Sequence, residues 1–145
     1  MLRKLQKEDI KELQKRLNDL SEEDKKLYHP HPFTIEYLNS LLNLSYDHYF
    51  VLEKNGIIVG YSMLRTFGKY PIPTYGQVIW QEYREKGYGS LILVETIKQA
   101  KKLGYKSVKL KVYEHNVIAY NLYIKHGFNK IGMEGNEIWM ELKLS

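Results

Sequence analysis

The chain has no cysteine, only four prolines, and only four arginines among its 22 positive residues. Without cysteine there is no disulfide scaffold, no thiol nucleophile and no cysteine-ligated zinc or iron–sulfur centre. No apolar run approaches the ~20 residues of a membrane helix. Met1-Leu2-Arg3-Lys4-Leu5 leads into charged sequence without the apolar centre of a signal peptide. A cytoplasmic protein with no membrane partner is therefore expected. What is present is 145 residues with 13 tyrosines and 43% hydrophobic composition. Such a composition argues against disorder. The length suits one domain, residues 1–145, able to bury roughly 70% of its unfolded surface. The net charge of +5 favours a phosphorylated ligand, a nucleic acid or an acidic protein. The lysines are scattered over many segments with no nucleic-acid motif or basic stripe, so a nucleic-acid partner is not expected.

Hydrophobic spacing organises the chain. Leu5, Ile10, Leu13, Leu17 and Leu20 recur at helical intervals among charges. Ser21 with Asp24 predicts a second helix start, running toward Tyr28, and Pro30 and Pro32 must end it. Thr34 can cap a third helix carrying Leu38, Leu41 and Leu42. The period then changes. Tyr49–Leu52 and Ile57–Arg65 read as strands joined at Asn55-Gly56, a type I′ hairpin signal. Tyr75–Trp80 is a further strand. The long helix that follows is expected to bury Leu91, Val94, Ile97 and Ala100 and to end at Gly104. Val108, Leu110 and Val112 alternate with Lys109 and Lys111 as in a strand. A helix from about Asn116 to His126 ends at Gly127. Strands near Phe128–Met133 and Ile138–Leu144 close the chain, the last an expected exposed edge that could pair two subunits. The order predicts an α/β or α+β domain around one sheet, as a monomer or homodimer.

The segment Arg84-Glu85-Lys86-Gly87-Tyr88-Gly89-Ser90 leaves a strand and opens a helix. Gly87 and Gly89 permit close backbone approach, and amides from about Glu85 to Ser90 would present the positive end of the helix to a phosphate or pyrophosphate. A tight turn with an ordinary cap explains the same residues. It matches neither a P-loop nor a dinucleotide fingerprint.

Joined to Asn116-x-x-Ala119-x-x-Leu122-Tyr123-x-x-x-Gly127-Phe128, the motif Arg84-x-x-Gly87-x-Gly89 resembles the GNAT N-acetyltransferase superfamily, whose members use acetyl-coenzyme A. The resemblance implies a GNAT-like fold. Its single mixed, mostly antiparallel sheet would have about six or seven strands flanked by helices, with a splayed parallel pair holding the cofactor. It also implies the cosubstrate, acetyl-CoA, and the site. Gln77, Val78 and Ile79 would pair with the pantetheine arm as an added strand does. Arg84, Glu85, Lys86, Gly87, Tyr88, Gly89 and Ser90 would take the pyrophosphate. Asn116 would bond the cofactor arm. Tyr123 would protonate the departing thiolate, because a phenol stays protonated at neutral pH. The implied activity is transfer of an acetyl group to a primary amine of a small molecule, sugar or peptide. An acyl-CoA sensor without catalysis is the alternative. As structural alternatives, Tyr123 could be a core residue and Asn116 a plain helix cap.

No side chain stands out as general base. In family members that acetylate protein N-termini a glutamate often lies five residues before the asparagine; here that position is Lys111. Glu82, His115, His29 and His31 are candidates. His29-Pro30-His31-Pro32-Phe33 falls where the family builds part of its acceptor pocket, so His29 and His31 are candidate acceptor contacts or parts of a structural turn. A metal site needs more ligands than this segment offers, and no metal is expected. Arg65 could meet an acidic substrate group or form a surface pair.

Overall fold

Asn55 and Gly56 adopt φ +52° and +79°. This double left-handed turn joins β2 (His48–Lys54) to β3 (Ile57–Arg65), because its twist matches that of paired strands. The computed structural model describes residues 1–27 and 31–144. A short strand, β1 (Leu2–Lys4), precedes a 3-10 turn and the helices α1 (Ile10–Asn18), α2 (Glu22–Leu27) and α3 (Ile35–Leu41). After the hairpin come β4 (Thr74–Ile79), α4 (Tyr88–Lys102), β5 (Ser107–Tyr113), α5 (Val117–Lys125), β6 (Asn129–Glu134) and β7 (Glu137–Lys143). The seven strands form one sheet in the order β1-β2-β3-β4-β5-β7-β6. Every neighbouring pair is antiparallel except β4 and β5.

Local chemistry starts and stops the helices as expected. The Ser21 hydroxyl accepts from the Asp24 amide and the Thr34 hydroxyl from the Tyr37 amide. Gly104 and Gly127 follow the ends of α4 and α5 at φ +88° and +94°, a conformation that costs glycine little. The expected end of the second helix at Tyr28, with His29 and Pro30, lies outside the described residues.

Strand alternation divides the core. Tyr49, Val51, Tyr61, Met63 and Val78 pack under α1 and α3 on one face. Phe50, Leu64, Tyr75, Val108, Leu110 and Met140 pack under α4 and α5 on the other.

Three expectations are corrected. Leu91 and Val94 are exposed; α4 buries Ile97 and Ala100 as expected, but together with Ile92, Leu93 and Thr96. Thr96 can sit inside because its hydroxyl bonds the Ile92 carbonyl and Ser62, which removes the cost of burying it. β7 is not an edge: it lies between β5 and β6, and the edges are β1 and β6. Leu5 follows a strand, since Leu2–Lys4 pairs with Phe50–Leu52, and the first helix begins only at Ile10. Among the described residues, no helix is long and apolar enough to cross a membrane.

Candidate active site

The parallel strands β4 and β5 meet at one register position, Thr74 opposite Lys109, where the Lys109 amide donates to the Pro73 carbonyl at 3.0 Å. Beyond it each strand follows its own antiparallel partner. β4 is bonded to β3 from Thr74 to Ile79, and β5 to β7 from Ser107 to Tyr113. The twist of two such ladders carries the strands apart. Gln77, Val78 and Ile79 therefore border an opening that faces β5.

At the wide end of that opening the chain turns into α4. Glu85 and Gly87 take φ +61° and +86°. An added Cβ at Gly87 would meet nothing within 4 Å, so glycine is needed there for its backbone angle rather than for space. Gly89 packs closer, its Cβ position 3.5 Å from Gln77 Nε2 and 3.7 Å from Leu122. Among the described residues, no side chain caps α4. The amides of Tyr88, Gly89 and Ser90 have no intrahelical acceptor, and among the described residues no carbonyl takes them. They carry the partial positive charge of a 15-residue helix. Glu85 and Lys86 are exposed and Tyr88 is half-buried. Arg84 is turned the other way. Its Nε donates to the Ile79 carbonyl at 2.9 Å and its two terminal nitrogens to Asp24, at 3.2 and 3.0 Å. Its guanidinium thus ties the turn to α2.

α5 forms the far wall. Asn116 Oδ1 accepts from the Ala119 amide at 3.4 Å and caps the helix. Tyr123 is buried, its ring edge-on to Tyr75 and Phe128 with centroids 6.4 and 5.7 Å away. Burial pushes its phenol above the ordinary range, so it is protonated at neutral pH. Among the described residues its hydroxyl has no hydrogen-bond partner. Polar contacts join the three elements. The Tyr75 hydroxyl donates to Gln77 Oε1, Gln77 Nε2 donates to the Gly89 carbonyl at 3.4 Å, and Ser90 Oγ lies 3.0 Å from His126 Nε2. Sequence reasoning missed Asp24 and His126 as partners of this turn. His126 occupies a variable position of the second motif, and only the folded chain brings it to Ser90.

The opposite face holds the other candidates. His31 is buried among Phe33, Tyr37, Tyr49 and Tyr61. Its Nδ1 donates to the Pro32 carbonyl at 2.8 Å, so Nε2 is the acceptor for the Tyr61 hydroxyl at 3.2 Å. Burial lowers its pKa. Arg65 is largely buried too, 3.9 Å from Asp47 and with its guanidinium 4.5 Å from the centre of the Phe67 ring. Glu82 is exposed and ion-paired to Arg16 at 2.8 Å. Lys111 pairs with Glu134 and Glu137 and lies over Trp139. His115 is exposed and helps line an open cavity of about 490 Å³ between α2 and the end of β5, with Glu22, Lys25, Lys26 and Tyr113. Among the described residues, no group of three or more His, Asp or Glu side chains is placed to hold a metal ion.

A mixed sheet whose parallel pair parts in front of a bare helix start, with helices on both faces, is the architecture of the GNAT acyltransferases. Residues 13–128 match the model of the acetyltransferase (GNAT) family, and the chain belongs to that family. It is 31% identical over 91 residues to a Bacillus subtilis (strain 168) protein named "Putative phosphinothricin acetyltransferase YwnH". That match covers 59% of this chain and 55% of the relative, little more than half its length. The fold superposes on a GNAT-family acetyltransferase from Streptococcus pneumoniae with a TM-score of 0.80 and 25% identity, covering 99% of each chain. It also superposes on the PaiA N-acetyltransferase of Thermoplasma acidophilum in complex with coenzyme A, with a TM-score of 0.80, 24% identity and coverage of 99% and 98%. A ribosomal-protein-alanine N-acetyltransferase from Brucella melitensis gives a TM-score of 0.84 at 19% identity over 99% of each chain. At 24% and 19% identity these last two likenesses concern the fold.

Proposed function

We propose that this chain is an acetyl-CoA-dependent N-acetyltransferase acting on a primary amine of a small molecule, sugar or peptide. The observation that carries the reading is the opening between β4 and β5 in front of the uncapped amides of α4. Those residues suit the cosubstrate's chemistry. Bare amides at a helix start favour a pyrophosphate, and the edge of β4 at Gln77, Val78 and Ile79, which β5 leaves and where Arg84 takes the Ile79 carbonyl, suits an amide-bearing arm. The Thermoplasma protein of the same fold is in complex with coenzyme A, which supports the choice of cosubstrate.

Bound acetyl-CoA supplies a thioester for a neutral amine to attack and a thiolate leaving group. The chain supplies the rest. Backbone amides from Glu85 to Ser90 hold the pyrophosphate, with Lys86 adding charge. The charge of Arg84 is already matched by Asp24, so this residue shapes the turn. Asn116 holds the cofactor arm with the amide nitrogen that its cap leaves over. An amide of β4 would donate to the oxyanion that develops on the thioester carbonyl. Tyr123, protonated and without a partner of its own, would give its proton to the thiolate, and the proton that the amine sheds would return to it through solvent. The amine arrives from the α1–α3 side, where the cavity beside His115 opens.

A second reading, acyl-CoA binding without transfer, is favoured by the engaged state of two candidate bases. Glu82 is paired with Arg16, and the Nε2 of His31 faces Tyr61 inside the core. One experiment separates the two. Thiol release from acetyl-CoA is followed with a thiol-reactive dye across amines, amino sugars, aminoglycosides, amino acids and peptides; the protein has no cysteine to contribute signal. Acceptor-dependent release that falls in Tyr123→Phe supports the enzyme. Saturable acetyl-CoA binding with no release across that panel supports the sensor.

A further inference from the structure

We propose that His126 is a positioning residue that turns the Ser90 hydroxyl toward the cofactor pyrophosphate, so that the anion is held by a side-chain donor as well as by backbone amides. The inference rests on the reading above that acetyl-CoA binds at the opening of α4. Ser90 is the third residue of α4, and its amide belongs to the uncapped set. A helical serine often turns its hydroxyl back to a carbonyl of its own chain. Here Ser90 Oγ instead sits 3.0 Å from Nε2 of His126, 36 residues away, in a part-buried contact.

Two hydrogen arrangements fit that distance. In one, the hydroxyl donates to a bare Nε2 and has no hydrogen left for a ligand. In the other, Nε2–H donates to Oγ, and the hydroxyl hydrogen is free to point out of the helix start. A pyrophosphate oxygen can only accept, so a bound anion selects the second arrangement. A serine has one hydrogen and two acceptor sites, and both kinds of contact can be made at once.

The imidazole is well held for this task. His126 is the C-cap of α5, with its amide bonded to the Leu122 and Tyr123 carbonyls at 3.2 and 3.1 Å. Gly127 turns the chain away immediately after it at φ +94°. Leu122 lies against the Gly89 position in the same contact zone. The histidine therefore reaches Ser90 from a rigid point, and it lies three residues beyond Tyr123 on the same helix end.

Calorimetric titration of the intact protein with coenzyme A tests the proposal, using Ser90→Ala, His126→Phe, His126→Gln and the Ser90→Ala/His126→Phe double variant. Each of Ser90→Ala and His126→Phe should weaken binding about tenfold, the scale of one charge-assisted hydrogen bond. The double variant should lose no more than either single change. His126→Gln keeps a side-chain N–H and should recover most of the affinity. In the transfer assay the loss should appear in the KM for acetyl-CoA with kcat nearly unchanged. It should vanish with S-acetylpantetheine, which has no pyrophosphate. Wild-type affinity in His126→Phe, additive losses in the double variant, or an equal loss with S-acetylpantetheine would each overturn it. If His126→Phe does not fold, Ser90→Ala and His126→Gln decide, since the proposal requires a loss in the first and little in the second. A wild-type protein that binds no coenzyme A refutes the cofactor reading itself, a different result from unchanged affinity in the variants.

Discussion

Under α1–α3, the buried Asp9, Asp47 and His31 are satisfied by the chain itself. Asp9 takes two hydrogen bonds from Arg3 and one from the Gln6 amide. Asp47 takes the amides of Thr66 and Phe67, and His31 is bonded on both ring nitrogens. Across the sheet, the cleft between β4, α4 and α5 is left incomplete. α4 has no side-chain cap, the Tyr123 hydroxyl has no partner among the described residues, and β4 and β5 share one rung. Groups of the same kinds are closed on one face and open on the other. Unmet hydrogen bonds in a folded chain cost stability, and a cofactor seated along that cleft, as proposed above, would complete them.

That contrast can be broken or sharpened by mutation. The largest effect should come from Tyr123→Phe, which keeps the ring packing and removes only the proton. Turnover should fall about 100-fold, while the melting temperature and the KM for acetyl-CoA barely move. A large loss of stability instead would put Tyr123 with the closed face. Asp9→Ala should do the reverse. Denaturant unfolding should show a loss of about 2–3 kcal/mol, because Arg3 and the Gln6 amide lose a charged acceptor, with coenzyme A affinity unchanged. Thr96→Val tests a polar contact on the cofactor face but away from the cleft. It should cost about 1–2 kcal/mol by leaving Ser62 without its partner and should leave turnover intact.

The smallest effect is one of pH. Burial lowers the pKa of His31, and burial followed by the charge of Lys4 lowers that of His48. For a depressed histidine the unfolded chain binds the proton first. Stability is complete above the ordinary value of about 6.5 and declines as pH falls below it toward the folded value. The denaturation midpoint should therefore drop between pH 7 and 5, with a shallower slope in His31→Phe. Asp9 adds its own loss only at lower pH. Burial would raise its carboxyl, but the bonds from Arg3 and Gln6 outweigh that and hold it below the usual range.

Much of the scaffold is legible from sequence where a single residue dictates backbone geometry. Asn55-Gly56 demands its turn, Thr34 and Ser21 their caps, and Gly104 and Gly127 their helix ends. The two motif segments are legible as the openings of α4 and α5. What depends on distant partners is not. β1 is three residues long and is a strand only because Phe50–Leu52 pairs with it. The buried stripe of α4 is misread because Thr96 becomes a core residue only beside Ser62. The interior place of β7 follows from strand order, which local pattern does not carry. In the candidate site, Arg84 reads as a phosphate contact until Asp24, 60 residues away, is seen to hold it. His115 and Glu82 read alike as bases, yet one lines a cavity and the other is ion-paired.

The bare amides at the start of α4 also bear on how this protein should be handled. Their affinity is for negative charge at short range and has no memory of coenzyme A. If they hold the pyrophosphate as proposed, inorganic phosphate or sulfate in a buffer competes with it, and the protein's net charge of +5 concentrates either ion near it. In phosphate the KM for acetyl-CoA should come out higher than in a zwitterionic buffer of equal ionic strength, at the same kcat. An anion chosen for convenience would thus act as a weak inhibitor, and fold-changes among variants of the turn would come out compressed.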